Sequence, residues 1–251
     1  MKIPFVTASL LLVIGSSVHA MAQSNTSTVE QLGFYNGIGV QQIGASAIND
    51  SIIHQGLGKY GSAFNKANVY QDGVNVQRNE SIITQDGISN YASATQGGDS
   101  LIGDQNISTI NQDGQGNNAT LVQGNAFHDN NSEITQFGAG NYANVYQKSS
   151  AMSANIENKS AVTQIGVGNR VDVYQGGNFA HNDSEISQSD ALGGFNYAYV
   201  AQGGSSNNES DVMQHGSLNQ TSITQNSALG VDNTSTVTQT GIGNEARVWQ
   251  H

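Results

Sequence analysis

Residues 130–147 read NNSEITQFGAGNYANVYQ, and this stretch decides the fold. It holds two seven-residue segments with one template, in which Asn, then Ser or Ala, then a β-branched residue, then Gln stand at every second position. A four-residue link containing Gly138 joins the segments. Because a period of two is the period of a β-strand, each segment is predicted to be a strand with one uniform face.

The same pattern recurs nine times along the chain. The copies lie at about 25–42, 49–71, 79–96, 106–123, 130–147, 158–175, 182–202, 208–225 and 233–250. Both Gln positions, both Asn positions and the Ser of the first segment are unchanged in all nine copies, which excludes a compositional accident. Sequence repetition of this kind is typical of solenoids, in which every copy contacts only its neighbours.

We therefore predict an all-β protein, a β-solenoid of nine stacked strand-turn-strand repeats that form two facing parallel sheets. The fixed residues should point inward and the variable ones outward. Gly at the link, as at Gly138 and Gly241, should permit a positive φ and a tight arch between the two strands. Copies two and seven have longer links, which should bulge outward as loops.

The inward Gln and Asn side chains are the informative part of this core. A buried amide without a partner costs about 1–3 kcal/mol, so each must find one. Amides stacked in register can pair with their copies in the adjacent repeat. The core amide ladders are predicted at six central positions in particular: Gln136, Asn141, Gln147, Gln164, Asn169 and Gln175.

Residues 1–22 have the features of a secretory signal peptide, with Lys2, a short apolar run and small residues near Ala20. The apolar run is too short to span a bilayer. We expect residues 23–251 to form the mature repeat domain, with cleavage after Ala20 as the alternative. The predicted location is extracellular, on the cell surface.

Composition excludes several classes of protein. The chain contains no Cys, so disulfides cannot stabilise it, and its only Pro lies in the signal peptide. Eight basic residues against 19 acidic ones give a net charge of −11, which argues against a nucleic-acid site. The acidic residues are scattered and no catalytic motif is present. We expect no enzyme activity, no cofactor and no metal site.

The repeated arrangement Ser…Gln-x-Gly-x-x-Asn-x-Ala-x-x-x-Gln after a signal peptide resembles the curlin repeat of bacterial curli fibres, over residues 25–251. This resemblance implies a structural subunit of extracellular functional amyloid in the biofilm matrix, with a role in adhesion. The implied partners are other copies of the chain, a minor curlin nucleator, and a curli-type outer-membrane secretion channel with accessory factors. The copies are spaced 24 to 30 residues apart, more widely than in familiar curlin repeats.

Both ends of the repeat array are expected to be open edges, without a capping segment. A head-to-tail contact between them does not close, so it generates a filament. The predicted self-assembly edges consist of fixed positions in the first and last copies: Asn25, Ser27, Val29, Gln31, Asn36, Gln42, Asn233, Ser235, Val237, Gln239, Asn244, Ala246, Val248 and Gln250. The alternatives are a curli surface nucleator and a non-polymerising secreted β-solenoid adhesin or binding module.

Overall fold

The computed structural model of the protein describes residues 24–45, 48–56, 63–74, 78–98, 105–124, 128–148, 156–177, 181–190 and 193–251. The predicted signal peptide lies outside these residues. The described part of the chain is built from strands and contains no helix that could cross a membrane.

The strands form two parallel sheets of nine strands each, as predicted. The first segment of every copy lies in one sheet, called here the first-strand sheet: β1 (Ser24–Gln31), β3 (Ile48–Gln55), β5 (Arg78–Ile88), β7 (Gln105–Gln115), β9 (His128–Ala139), β11 (Ile156–Val167), β13 (Asn182–Ser189), β15 (Asn208–Ser217) and β17 (Asn233–Ile242).

The second segments form the second-strand sheet: β2 (Gly37–Ala45), β4 (Lys66–Val74), β6 (Tyr91–Gly98), β8 (Asn118–Gly124), β10 (Tyr142–Lys148), β12 (Arg170–Gln175), β14 (Tyr197–Gly204), β16 (Gln220–Ser227) and β18 (Glu245–Gln250). Every copy thus supplies one rung of a β-solenoid. Seven rungs lie between two neighbours, and copies one and nine lie at the ends. Nine rungs at a strand spacing of about 4.8 Å make a body about 40 Å long.

The register is the one that the repeat predicts. Val162 lies opposite Ile134 and Ile186, and Gln164 lies opposite Gln136 and Gln188. A shift by one residue would turn every inward side chain outward, so the fixed inward residues hold this register. The apolar core is a thin double row of Val, Ile, Leu and Ala between the sheets, fully buried in the interior rungs.

Several first strands are longer than the predicted seven residues. β9 and β11 continue through the arch glycines, and Gly138 pairs with Gly166. The physical reason is that the arches of neighbouring copies also stack in register, so their backbone groups pair. Seven arch glycines have positive φ, as the sequence predicts: Gly33, Gly87, Gly114, Gly138, Gly166, Gly216 and Gly241.

The two sheets are offset by half a rung. The closing Gln71 on β4 donates to the backbone carbonyl of Asp50 in its own copy and to that of Asn79 in the next copy. Gln147 on β10 does the same with Asn131 and Asn158. Each second strand therefore lies at a height between two first strands. As a result, β1 projects at one end of the solenoid and β18 projects at the other.

Candidate functional site

The first Gln of each copy forms an unbroken ladder along the solenoid. Gln136 donates its side-chain N–H to the side-chain oxygen of Gln164 at 2.8 Å, and Gln164 donates to the next copy at 3.0 Å. Each amide nitrogen also donates across the core to a backbone carbonyl of the second-strand sheet, at Asn118 for Gln136 and at Tyr142 for Gln164. Both side chains are fully buried, and these contacts satisfy their donors.

The closing Gln residues form a second ladder near the other edge of the core. Gln147 donates to Gln175 at 2.8 Å, and Gln175 donates to Gln202 at 2.9 Å. Because the same nitrogens also bond to carbonyls of the first-strand sheet, these amides hold the two sheets together as well as the rungs. The sequence predicted the ladder but not the hydrogen bonds that join the two sheets.

The Asn residues that directly precede the second strands also bond to backbone groups of the arches. The side-chain oxygen of Asn141 accepts the backbone N–H of Asn169 at 3.1 Å. Its nitrogen donates to the carbonyls of Phe137 in its own arch and Gly166 in the next one, both at 3.0 Å. Asn141 thus closes its arch and fastens it to the neighbouring arch. Asn at this position is needed for the turn, which sequence reasoning attributed to Gly alone.

The ladders have a direction. All Gln side chains donate toward the C-terminal end of the solenoid, as Gln31 does to Gln55 and Gln225 does to Gln250. The backbone carbonyls that share the Gln donors fix this orientation, since only the nitrogen side of an amide can face a carbonyl. The first-strand Asn residues donate the other way, as Asn158 does to Asn130.

At the N-terminal end, the inward side chains of copy one are only half covered. Asn25 is exposed, and the other predicted edge residues of this copy are partly exposed: Ser27, Val29, Gln31, Asn36 and Gln42. Among the described residues, no donor bonds to the side-chain oxygens of Gln31 and Gln42. In every other copy this oxygen accepts from the Gln of the preceding copy.

At the C-terminal end, the two strands of copy nine differ. The inward residues of β18 and the Asn directly before it are partly exposed: Asn244, Ala246, Val248 and Gln250. Those of β17 are already buried, with exposed fractions of 6–8%: Asn233, Ser235, Val237 and Gln239. The sequence predicted that β17 and β18 would be equally open at this end. The half-rung offset explains the difference, because β18 projects beyond β17 and covers its inward side chains.

A cluster on the outer face of the second-strand sheet was missed by sequence reasoning. The Arg170 guanidinium lies between the rings of Tyr142 and Tyr197, 5.1 and 5.7 Å from their centroids. It also donates to Asp172 at 2.9 Å, and this carboxylate is almost fully buried. The hydrogen bond and charge of Asp172 raise the pKa of Arg170. The pairing could have been found by aligning outward positions of neighbouring copies.

Four copies carry an aromatic side chain directly before the closing Gln, and all four lie on the outer face: Tyr70, Tyr146, Tyr174 and Trp249. Tyr146, Tyr174 and Tyr199 form a short run of rings with centroids 6.3 and 5.7 Å apart. Burial raises the pKa of Tyr199, and the neighbouring Tyr174 and Asp172 raise it further. Tyr199 stands two residues before the position of Tyr174 in the repeat. That position holds Thr95, Val122, Ala201 and Thr224 in copies three, four, seven and eight, so the run does not extend along the whole face.

Within the described ranges, no group of three or more His, Asp or Glu side chains is placed to hold a metal ion. The fold and the ladders define the molecule as a parallel β-solenoid with an amide-lined core. A scan against models of protein families found no match to the chain, and a search of curated proteins found none either.

Proposed function

We propose that this protein is a structural subunit that polymerises head to tail into an extracellular fibre of the amyloid type. The resemblance of its repeat to the curlin repeat supports the proposal, and so does the complementarity of the two solenoid ends. The complementarity of the two ends is the main observation in favour of polymerisation. Identical strands stacked in register about 4.8 Å apart are also the arrangement of amyloid.

Each end offers what the other end needs. The side-chain nitrogens of Gln239 and Gln250 face the open C-terminal end, where their ladders continue in the direction of donation. The side-chain oxygens of Gln31 and Gln42 face the N-terminal end as acceptors. Head-to-tail docking joins donors to acceptors in both Gln ladders, whereas head-to-head docking would place like groups together. A filament built in this way has one direction.

The shapes of the ends also fit. The projecting β18 of one molecule would lie between the β17 of the same molecule and the β1 of the next, so that the half-rung offset continues across the joint. In that position Gln250 gains the carbonyl of Asn25 as a second backbone acceptor, as Gln71 has with Asn79 inside the molecule. Burial of Val29 and Val248 against a new neighbour adds an apolar contribution of about 1–2 kcal/mol for each side chain.

The remaining partners follow from the resemblance alone. We propose that the chain leaves the cell through a curli-type outer-membrane secretion channel with accessory factors. A minor curlin nucleator is the proposed starting point of the fibre. We also propose a role for the fibres in adhesion and biofilm matrix, without enzyme activity.

The test compares three forms of residues 23–251 by thioflavin-T fluorescence and electron microscopy. The unmodified chain should form fibres. In Val248→Lys, the new side chain reaches solvent in the monomer, but docking would bury its charge, so this variant should stay monomeric. Thr236→Lys is the matched control, since it adds the same charge to the same copy at an exposed outward position and should still form fibres.

An unmodified chain that stays monomeric would overturn the proposal and favour a non-polymerising binding module. Fibres of Val248→Lys that grow as fast as those of the unmodified chain would show that the copy-nine edge is not the joint. A chain that makes no fibres alone but starts fibre growth of another curlin-type protein would support the nucleator instead.

A further inference from the structure

Exposed apolar side chains are concentrated on one edge of the solenoid. Among the described residues, 19 large hydrophobic side chains are exposed, and 11 of them lie in the arches between the first and second strands. The arches supply only a few residues per copy. A random scatter of single exposed hydrophobics is normal on a soluble protein, but such a concentration is not.

The register joins these side chains into a stripe. Phe137 lies directly opposite Ile165 in the next rung. The ring of Phe195 covers Gly168 of the preceding copy, at the place where a Cβ on that glycine would stand. Leu218 and Ile242 continue the stripe toward the C-terminal end. It therefore runs along the arch edge through copies five to nine.

The N-terminal end carries a second group of this kind. Phe34 and Tyr35 are 64% and 81% exposed, and the Tyr35 ring stacks on Phe64 with centroids 5.2 Å apart. Head-to-tail docking would place Phe34 beside Ile242, so one stripe becomes continuous with the next at each joint. Between the two groups, the arch of copy three supplies only Ile88 and the arch of copy four supplies no exposed large hydrophobic side chain. Asp86 and Asp113 stand there at the position that Phe137 holds in copy five.

Backbone strain in the arches also indicates that the exposed apolar side chains form a functional surface. Tyr35, Phe64, Ser89 and Leu218 have positive φ of 55–59°, at the arch position where Gly116, Gly140, Gly168 and Gly243 stand in other copies. A residue with a side chain costs about 1–2 kcal/mol in this conformation. Glycine would remove that cost, yet three of these four copies hold a large apolar side chain that lies outside the solenoid core. Residues held in sparsely populated backbone conformations cluster at functional sites.

We infer that the arch edge is the contact by which two filaments of this protein pair side by side. The inference rests on the proposed head-to-tail filament. The exposed apolar side chains of the two groups together amount to on the order of 1,000 Å² per molecule, which is enough for a specific interface.

A second copy is the occupant that the geometry favours. The apolar side chains recur with the rise of the rungs, and a partner must repeat at the same rise to stay in contact over many rungs. Another filament of this chain does so. A membrane surface fits poorly, because the net charge of −11 opposes approach to anionic lipid and the carboxylates of Asp86, Asp113 and Asp190 interrupt the stripe.

The test uses a variant that removes four of the five exposed apolar side chains of the stripe in copies five to eight, all but Phe195: Phe137→Ser, Ile165→Ser, Val167→Ser and Leu218→Ser together. Other copies of the chain already hold Ser at the equivalent arch positions, as at Ser89, Ser189 and Ser217, so the variant should fold. The matched control removes four exposed apolar side chains from the outer faces: Tyr70→Thr, Tyr174→Thr, Met213→Thr and Trp249→Thr. Thr stands at equivalent outward positions of other copies.

The readout is mass per length of the fibres in scanning transmission electron microscopy. One solenoid gives about 0.6 kDa per Å and a pair about 1.1 kDa per Å, since residues 23–251 hold about 24 kDa of the 26.3 kDa chain and span nine rungs. We expect the paired value for the unmodified chain and the control, and the single value for the arch variant. Single filaments of the unmodified chain, or paired filaments of the arch variant, would overturn the inference but leave head-to-tail assembly intact. An unmodified chain without fibres would overturn both.

Discussion

The side-chain nitrogen of Gln136 lies 2.8 Å from the side-chain oxygen of Gln164, 28 residues further along the chain, and neither side chain is exposed to solvent. Polar ladders of this kind replace much of the apolar core that a protein of this size would normally have. A change that removes one of these amides should therefore lower the stability of the monomer.

Gln136→Ala should destabilise the monomer by about 2–4 kcal/mol. It leaves the Gln112 nitrogen without its side-chain acceptor, leaves the Gln164 oxygen without a donor, and opens a cavity. Denaturant unfolding of fresh monomer measures the loss. Thr135→Ala, on the outward side of the same strand, is the control and should change stability by less than about 0.5 kcal/mol. Equal losses for the two variants would contradict the ladder as a source of stability.

Amides at the ends should matter for assembly in addition to what they contribute to the monomer, in which Gln239 accepts from Gln214 and Thr221. Gln31→Ala and Gln239→Ala should slow fibre elongation, because each removes one partner of a bond that forms only at the joint. The outward changes Thr28→Ala and Thr240→Ala should leave elongation nearly unchanged. Thioflavin-T kinetics seeded with preformed fibres compare the four variants. The edge assignment fails if the outward pair slows growth as much as the inward pair.

Gly241→Ala should interfere with assembly while the monomer stays folded. A Cβ on Gly216 would collide with the carbonyl oxygen of Gly241, whereas a Cβ on Gly241 meets only the Asn244 side chain at 3.5 Å, at the open end. In a fibre, Gly33 of the next molecule would occupy that space. Both glycines have φ near +115°, so both changes add similar backbone strain.

Gly216→Ala is therefore the reference for Gly241→Ala. Circular dichroism and thermal unfolding of the monomers should show the larger loss for Gly216→Ala. Fibre yield should fall for Gly241→Ala even where its monomer is stable. Normal fibre growth of Gly241→Ala would place the joint somewhere other than the copy-nine arch.

The Arg170–Asp172 pair should show coupling between its two members. Arg170→Gln leaves a nearly buried carboxylate without its partner and should cost about 1–2 kcal/mol, a modest value because the guanidinium is more than half exposed. Adding Asp172→Asn should recover part of the loss, since Asn68 and Asn144 stand at this position in other copies. Additive losses in the double variant would show that the two side chains do not stabilise each other.

Stability should fall at alkaline pH through the outer tyrosines. Burial raises the pKa of Tyr197 and Tyr199 above the ordinary value of about 10, so the folded state keeps both protons longer than the unfolded state does. This contribution to stability is complete below pH about 10 and is lost as the pH rises through the folded-state pKa. Tyr199→Phe should flatten that decline, measured by denaturant unfolding at a series of pH values. An unchanged slope would contradict the assignment.

Most of the fold was predictable because it rests on local rules that repeat. Alternation by two residues predicted the strands, and fixed inward residues such as Gln164 predicted the register. Gly138 indicated the arch and its positive φ. These predictions needed no knowledge of distant contacts, since each copy touches only its neighbours.

Features that depend on the relative height of the two sheets were not predictable. The half-rung offset follows from how Gln147 reaches carbonyls of two copies, and it explains why Val237 is buried while Val248 is not. The left-handed φ of Tyr35 was missed because its side chain gives no signal for that conformation. The sequence could have shown the Arg170 cluster, because Tyr142 and Tyr197 stand at the same outward position two rungs apart.

The shared register of the rungs has an evolutionary consequence. β3 and β7 present the same inward residues as β5, and differences in spacing are confined to the links and to the inserted arches. A recombination event that removes or duplicates one whole copy therefore leaves every remaining pairing intact. Molecular length is then a quantity that genetic drift and selection can change one copy at a time, with no redesign of the core.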